Sequence, residues 1–292
     1  MRFGALEAGG TKMVCAIGDE TGRIYEQISM PTGKPEITVP KLIAYFGERE
    51  VDALGIGCFG PVELNKNSPR YGYITSTPKT AWRNYDIVGA FDRALGCPIG
   101  FDTDVNASVL GEVTFGQAKG KSCVIYLTIG TGVGGGIYIE GNLLHGMLHP
   151  ETGHVLIRKK DSDGYGGRCP YHGNCLEGMA SGPALEERWG RKAVELAGRA
   201  EVWELEADYI AQALTGYILT LSPQIIILGG GVMHQEQLFP MIRQKVIQLL
   251  GGYIQAEELE DMEHYIVPAS LHGNQGIMGC LELARKEYID RN

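Results

Sequence analysis

A glycine-rich turn between two apolar strands occurs twice in this chain. The first copy, residues 7–12, reads Glu-Ala-Gly-Gly-Thr-Lys, and the second, residues 128–136, reads Thr-Ile-Gly-Thr-Gly-Val-Gly-Gly-Gly. Glycine lets the backbone approach a ligand closely with its N–H groups turned inward, and the threonine adds a hydroxyl donor. One such turn indicates only a hairpin. Two copies, each at the start of one half of the chain, predict a duplicated fold that binds a polyphosphate from both sides.

The length and composition of the chain fit two medium-sized globular domains. At 292 residues, with 44% apolar and 21% charged residues, the chain can form two cores of ordinary composition. No apolar run reaches the roughly 20 residues that a bilayer span needs. The first residues lead directly into a predicted strand, so no signal peptide is expected. A net charge of −9 leaves no basic excess for the phosphates of a nucleic acid.

The cysteine pattern argues against a disulfide framework, because seven cysteines are an odd number and are scattered along the chain. Five of them lie in apolar stretches and are interpreted as reduced core residues: Cys15, Cys58, Cys97, Cys123 and Cys280. The other two, Cys169 and Cys175, lie in a loop rich in glycine and proline. This pattern predicts a cytoplasmic protein.

Apolar periodicity predicts an α/β chain with two similar halves. In the first half we expect strands over 2–8, 12–18, 23–29, 52–57 and 99–102, and helices over 36–47, 85–96 and 104–116. In the second half we expect strands over 123–129, 133–140, 154–158, 225–228 and 265–267. Helices are expected over about 183–221, after the glycines at 229–231, and over 275–288.

The two halves predict two lobes. The first is an N-terminal α/β lobe over 1–117, and the second is a C-terminal α/β lobe over 118–274 with a loop over about 150–180. The polar break at 117–122 is the candidate hinge. The final helix, over about 275–290, is expected to pack back on the first lobe.

The glycine clusters form the candidate nucleotide site. In the first turn, the N–H groups of Gly10 and Thr11 would contact a terminal phosphate, and Lys12 would neutralise charge. Glu7, at the end of the preceding strand, is a candidate ligand for magnesium. A third cluster follows an apolar strand and precedes a helix, where nucleotides bind in open α/β sheets. The predicted nucleotide-binding residues are Gly9, Gly10, Thr11, Lys12, Thr131, Gly132, Gly229, Gly230 and Gly231.

Asp104 lies where a predicted strand ends and a predicted helix begins. An isolated aspartate at that position is usually a helix N-cap, which is one interpretation. The other is a general base, because transfer of a γ-phosphoryl group to a hydroxyl needs a carboxylate that accepts the proton. Capping does not exclude that role.

A cluster of cysteine and histidine predicts a zinc site. His154 precedes the segment Cys-Pro-Tyr-His-Gly-Asn-Cys, which contains Cys169, His172 and Cys175. Two cysteines and two histidines at this spacing suit a closed tetrahedral zinc site of structural type. The alternative is two buried thiols and two surface histidines. The remaining histidines have no comparable partners in sequence and are interpreted as ordinary: His145, His149, His234, His264 and His272.

Two carboxylates flank this cluster. Glu151 lies three residues before His154, and Glu177 lies two residues after Cys175. Solvation at the surface is one interpretation of both. A rigid metal loop would instead fix them for bidentate hydrogen bonds to the vicinal hydroxyls of a sugar.

With these residues in view, the chain resembles the ROK family (repressor, open reading frame, kinase) of sugar kinases, and within it the bacterial fructokinases. The resemblance spans nearly the whole sequence. It rests on segments 7–12, 57–62, 77–82, 103–107, 128–134, 149–154, 169–178 and 229–233. It implies an actin-like, ribonuclease-H-like ATPase fold with two lobes, and a homodimer.

The resemblance also implies roles for individual residues. Asp104 matches the family's catalytic base, Glu151 and Glu177 match glutamates at the sugar, and His154 matches a histidine at both sugar and zinc. Thr103 is expected to offer a further hydroxyl partner. Two positions depart from the family pattern. His172 stands where many members have a third cysteine, and Glu7 stands where many have aspartate.

The expected activity is the ATP- and magnesium-dependent phosphorylation of D-fructose to fructose 6-phosphate. The same chemistry on glucose, mannose or an N-acetylhexosamine is an alternative, and a sugar-binding regulator without catalysis is another. Sugar-responsive repressors of the family carry a helix-turn-helix ahead of the kinase-like part, and the first hairpin here begins at residue 3. The loop 76–82 and the turn 59–61 are expected to shape the sugar pocket, with Trp82 offering a flat apolar face.

Overall fold

The computed structural model describes all residues from Met1 to Asn292. The strands are β1 (Phe3–Ala8), β2 (Lys12–Gly18), β3 (Ile24–Pro31), β4 (Ala53–Cys58), β5 (Tyr73–Ile74), β6 (Tyr85–Asp86), β7 (Ile99–Thr103), β8 (Cys123–Ile129), β9 (Val133–Ile139), β10 (Asn142–Leu143), β11 (Ile225–Gly229) and β12 (Ile266–Pro268). The helices are α1 (Pro35–Gly47), α2 (Ile87–Leu95), α3 (Asp104–Thr114), α4 (Leu176–Ala180), α5 (Gly182–Trp189), α6 (Ala200–Leu221), α7 (Leu238–Leu250), α8 (Glu257–Glu260), α9 (Met262–Tyr265) and α10 (Gln275–Arg291). Each helix is too short or too polar to cross a lipid bilayer.

The chain divides into two compact units. Unit 1 comprises Met1–Gly120, Asn142–Pro150 and Ser270–Asn292, and unit 2 comprises Lys121–Gly141 and Glu151–Ala269. The final helix α10 therefore belongs to unit 1. A continuous second lobe over 118–274 is not observed, because the chain returns to unit 1 after β9 and again after β12.

Unit 1 is built on a mixed sheet in the order β3-β2-β1-β4-β7. The first three strands pair antiparallel, and β1, β4 and β7 pair parallel. Side chains alternate across β1, as the two-residue period of a strand requires. Phe3 and Ala5 pack with residues of α3 and α10, whereas Leu6 and Ala8 pack with residues of α1 and α2. The sheet is therefore covered by two helices on each face.

Unit 2 repeats this arrangement. Its strands lie in the order β9-β8-β11-β12, with β8 and β9 antiparallel and the pairs β8–β11 and β11–β12 parallel. The same sequence of one antiparallel and two parallel pairs runs from β2 to β7 in unit 1. The central strand β11 is buried along its whole length, as expected for a parallel strand inside a sheet. The predicted α/β fold with two similar halves is confirmed.

The segment 154–158 is not a strand, so this prediction is wrong. Residues Thr152–His154 form a short 3-10 helix, and the segment contributes only an isolated bridge between Leu156 and Cys175. The N–H of Leu176 donates to the carbonyl of Val155 at 2.9 Å. The backbone is thus tied to the cysteine loop instead of to a sheet.

The contact between α3 and α10 depends on a close approach of two backbones. A Cβ atom placed on Gly279 would lie 1.6 Å from the carbonyl oxygen of Ala107, so no larger residue fits without moving a helix. Gly216 is the matched control, since it lies in the exposed part of α6 with no atom within 4 Å of such a Cβ.

We predict that Gly279→Ala lowers the free energy of unfolding by about 1–3 kcal/mol or more, because overpacking forces the helices apart. Gly216→Ala should raise it by about 0.4–1 kcal/mol, because alanine restricts the unfolded chain. Urea denaturation measures both. Equal stability of the Gly279 variant and the wild type would show that α10 does not lie as close to α3 as described.

Candidate functional site

The first glycine turn connects β1 and β2 and is fixed by backbone hydrogen bonds. The N–H of Gly9 donates to the carbonyl of Lys12 at 3.0 Å, which closes the turn. The hydroxyl of Thr32 donates to the carbonyl of Gly9 at 2.7 Å, and its N–H donates to the carbonyl of Thr11 at 3.0 Å. Thr11 and Lys12 are exposed. The backbone of the turn is therefore fixed by Thr32, while Thr11 and Lys12 are open to solvent.

Glu7 lies at the end of β1, close to Asp104 and to the first turn of α10. Burial and, to a smaller extent, the negative charge of Asp104 raise the pKa of its carboxyl group, and Lys12 lowers it, so that the net pKa is about 7. A Cβ on Gly276 would lie 2.7 Å from the carboxyl carbon of Glu7, so this group lies against the first turn of α10. Two carboxyl groups this close repel each other unless a cation or a proton lies between them, which suits a divalent cation.

Asp104 is the first residue of α3 and not its N-cap, so that interpretation is wrong. The N-cap is Thr103, whose extended backbone (φ −72°, ψ 157°) lets its hydroxyl accept a hydrogen bond from the N–H of Asn106 at 3.1 Å. The Oδ1 atom of Asp104 accepts from the N–H of Val105 at 3.0 Å. Because Thr103 caps the helix, the carboxylate of Asp104 is not needed for that purpose.

A buried aspartate lies two residues before Asp104 and holds a histidine that sequence reasoning missed. Asp102 Oδ1 accepts from the Thr103 N–H at 2.8 Å and from Asn106 Nδ2 at 2.7 Å, while Oδ2 lies 2.9 Å from His145 Nε2. The hydrogen bond to Asp102 raises the pKa of His145, against the opposing effect of burial. His145 is thus not an ordinary surface histidine. It attaches the segment 142–150 to the strand that precedes the candidate base.

The second glycine turn and the third glycine cluster lie at the ends of two neighbouring parallel strands of unit 2. The N–H of Gly130 donates to the carbonyl of Gly132 at 2.9 Å, which closes the turn after β8. Gly230, directly after β11, has a φ of +90°, and a Cβ there would lie 2.4 Å from the carbonyl oxygen of Ile129. The predicted nucleotide-binding glycines of unit 2 therefore lie side by side. The chain after them forms a 3-10 helix over Gly231–His234 before α7 begins.

The four predicted metal ligands lie together. Their ligand atoms, from His154, Cys169, His172 and Cys175, are all within 4.8 Å of one another. Cys169 Sγ lies 3.7 Å from His154 Nδ1 and 3.6 Å from His172 Nδ1, and Cys175 Sγ lies 3.5 Å from His154 Nδ1. Tetrahedral zinc with its usual bond lengths would separate sulfur and nitrogen ligands by about 3.6 Å. The cluster therefore has the size of a tetrahedral metal site.

Glu177 connects this cluster to the second glycine turn. Its Oε1 lies 4.0 Å from Nε2 of His154, the ring nitrogen that faces away from the cysteines. Its Oε2 accepts a hydrogen bond from the N–H of Val133 at 3.0 Å. A Cβ on Gly132 would lie 2.7 Å from the same oxygen, so a larger residue there would displace this carboxylate from its present position.

Glu151 belongs to the same group of charges in unit 2. Partial burial raises the pKa of Glu151, the proximity of His154 lowers it, and the negative charge of Glu177 raises it. The predicted sugar-binding residues Glu151, His154 and Glu177 are thus close enough to interact electrostatically.

Trp82 does not offer an exposed face to a ligand, so this expectation is wrong. Its side chain is 2% exposed and packs edge-on against Phe59 and Tyr85, with ring centroids 5.8 and 5.5 Å apart. Its Nε1 donates to the carbonyl of Gly33 at 2.8 Å. These contacts of the Trp82 indole fix the loop 76–82 in place.

Comparison with known proteins identifies the family of the chain. The sequence pattern of the ROK family matches residues 3–287, and the chain belongs to that family. A relative from Bacillus subtilis (strain 168) is 52% identical over 97% of this chain and 95% of its own. Its name includes the word fructokinase. The fructokinase of Pediococcus pentosaceus is 45% identical over 98% of each chain. The predicted family resemblance is confirmed.

A solved structure shows the same fold. The ROK family glucokinase of Streptomyces griseus, in complex with glucose and AMPPNP, matches with a TM-score of 0.76 and 26% identity. The match covers 98% of this chain and 100% of the glucokinase chain. The fold described above is therefore that of a ROK sugar kinase.

Proposed function

We propose that the protein transfers the γ-phosphoryl group of ATP to the 6-hydroxyl of D-fructose. The relatives named fructokinase support the substrate, since they match nearly the whole chain at 45% and 52% identity. The position of Asp104 supports the chemistry more directly than any other observation. It begins a helix that another residue caps, beside a second carboxylate and in the same unit as an exposed glycine turn.

The proposed step forms a bond between the sugar oxygen and the γ-phosphorus. The bond from that phosphorus to the oxygen bridging to the β-phosphate breaks, and its electron pair leaves with ADP. The hydroxyl proton passes to the carboxylate of Asp104. Such a general base typically contributes a factor of about 10²–10⁴ to the rate.

We propose the following roles for the remaining predicted residues. Hydrogen bonds to sugar hydroxyls come from Thr103, Glu151, His154 and Glu177. Phosphate contacts come from Gly9, Gly10, Thr11, Lys12, Thr131, Gly132, Gly229, Gly230 and Gly231. Magnesium would enter with ATP and neutralise phosphate charge, with Glu7 as its protein ligand.

Zinc is the metal that the cysteine and histidine cluster fits best. Two thiolates and two imidazoles complete a tetrahedral shell and leave no open position, so such an ion would stabilise the loop and take no part in chemistry. In that arrangement His154 would bind the metal through Nδ1 and face Glu177 with Nε2. A carboxylate next to the outer nitrogen is the usual way in which a metal-bound histidine is oriented.

Glucose is the second candidate substrate, because the Streptomyces griseus glucokinase shares the fold and was solved with glucose. The alternatives of mannose, an N-acetylhexosamine or a regulatory role without turnover can each be tested by measuring ADP release with a panel of sugars. The resemblance to fructokinases further predicts a homodimer. The cysteines form no disulfide, and we infer a location in the cytoplasm, where thiols stay reduced.

We predict about one zinc ion per chain by elemental analysis of the purified protein. The double variant Cys169→Ser/Cys175→Ser should lose the zinc. Its affinity for fructose should fall more than its affinity for ATP, because Glu151 and Glu177 adjoin the metal loop. Cys123→Ser, a half-buried cysteine of the same unit, is the control. A zinc-free protein, or a double variant with full activity, would contradict the assignment.

We predict that Asp104→Asn keeps the fold and fructose affinity but lowers kcat by about 10²–10⁴, because the amide cannot accept the proton. Asp92→Asn, an exposed aspartate on α2, serves as the control and should match the wild type. Steady-state kinetics with calorimetric fructose binding separates the two effects. If Asp104→Asn retains more than about a tenth of kcat, another group is the base.

A further inference from the structure

A second lysine lies against the first glycine turn. The Cε atom of Lys79 comes within 3.3 Å of where a Cβ on Gly10 would stand. Lys79 is half-buried, and its ammonium group has no carboxylate partner. Lys12, on the same turn, is exposed. Two cationic side chains therefore adjoin a turn whose glycine and threonine N–H groups are the candidate phosphate donors.

The loop that carries Lys79 is rigidly held. Its N–H donates to the buried hydroxyl of Thr77 at 3.3 Å, and its carbonyl accepts from the N–H of Trp82 at 2.8 Å. Arg83 Nη2 donates to the carbonyl of Thr77 at 3.2 Å. The buried indole of Trp82 then bonds to the carbonyl of Gly33. These contacts fix the backbone on both sides of Lys79.

The same segment of chain anchors both the loop and the turn. Thr32 makes two hydrogen bonds to the glycine turn, at Gly9 and Thr11. The next residue, Gly33, accepts the hydrogen bond of Trp82. The backbone at Lys79 is thus positioned relative to the turn through the residue pair Thr32 and Gly33.

The negative charges near the glycine turn favour a cation such as the ammonium group of Lys79. Glu7 and Asp104 are close enough for the charge of one to raise the pKa of the other, and ATP would bring further negative charge to the turn. In phosphoryl transfer, catalysis consists mainly of positioning and of offsetting the charge on the transferred group. Lys12 is exposed, so much of its electrostatic effect is screened by water. A half-buried ammonium is screened less.

We propose that Lys79 binds the transferring phosphoryl group, first as the γ-phosphate of ATP and then as the phosphate of the sugar product. This inference rests on the proposed kinase function. It assigns to the loop 76–82 a contact with phosphate, where the sequence predicted a contact with sugar. The buried Trp82 acts as a positioning residue for the lysine.

The decisive comparison is between nucleotides with and without a γ-phosphate. Calorimetry would measure the Kd of AMPPNP and of ADP, each with magnesium, for the wild type and for Lys79→Met. Steady-state assays would give kcat and both KM values for the same proteins. Lys79→Arg keeps the charge, and Lys41→Met removes an exposed lysine of α1 as a matched control. Lys79→Gln replaces the methionine variant if that protein does not fold.

We expect Lys79→Met to weaken AMPPNP binding about tenfold or more and to lower kcat about 10²–10³-fold, the usual cost of losing one charge-stabilising donor. The affinity for ADP and the KM for fructose should change less than about threefold on the same argument. Lys79→Arg should restore part of kcat, and Lys41→Met should behave as the wild type.

An unchanged kcat, equal loss of AMPPNP and ADP affinity, or a loss confined to the KM for fructose would each overturn the proposal. Failure of the proposed function would look different. If the wild type does not phosphorylate fructose, the substrate assignment fails, whereas the AMPPNP and ADP comparison still decides the role of Lys79. A wild type that binds neither nucleotide would overturn both.

Discussion

The carboxylate of Glu177 joins two parts of unit 2 that are far apart in sequence. One oxygen accepts a hydrogen bond from the N–H of Val133, in the strand after the second glycine turn. The other oxygen faces Nε2 of His154, the ring nitrogen that points away from the cysteines. The inner nitrogen of that histidine faces the cysteines. A metal in the cluster would thereby fix His154, then Glu177, and through it the turn at Gly132. The candidate metal site, sugar carboxylates and phosphate turn thus form one connected structure.

Unit 1 places its reactive groups by a different means. Glu7 lies near the carboxyl end of β1, and Asp104 directly follows β7 of the same sheet. The helix α10 lies against the carboxyl group of Glu7. Burial, followed by the charge of Asp104, raises the pKa of Glu7, so the ionised form of Glu7 is disfavoured unless a cation offsets its charge. The hydrogen bonds that join Asp102 to Asn106 and His145 hold the first turn of α3 in place despite the repulsion between these two carboxyl groups.

Local patterns in the sequence predicted every strand of three or more residues to within a few residues, since apolar periodicity and glycine turns are short-range signals. The same patterns also predicted a strand over 154–158 that is not present. The metal cluster followed from ligand spacing in the same way. Contacts between distant segments could not be predicted. His145 binds Asp102 across 43 residues, and the indole N–H of Trp82 donates to the carbonyl of Gly33 across 49 residues. The choice of Thr103 over Asp104 as N-cap depends on backbone angles that either residue could adopt.

The central claim is that this chain is an ATP-dependent kinase whose preferred sugar is fructose. Initial rates of ADP release, measured with fructose, glucose, mannose and N-acetylglucosamine, test it most directly. A site that pairs each sugar hydroxyl with a fixed polar group discriminates strongly against a misplaced one. We predict the highest kcat/KM for fructose, lower values for mannose and glucose, and poor turnover of N-acetylglucosamine. A higher kcat/KM for glucose or N-acetylglucosamine would contradict the substrate, and no sugar-dependent ADP release would contradict the kinase itself.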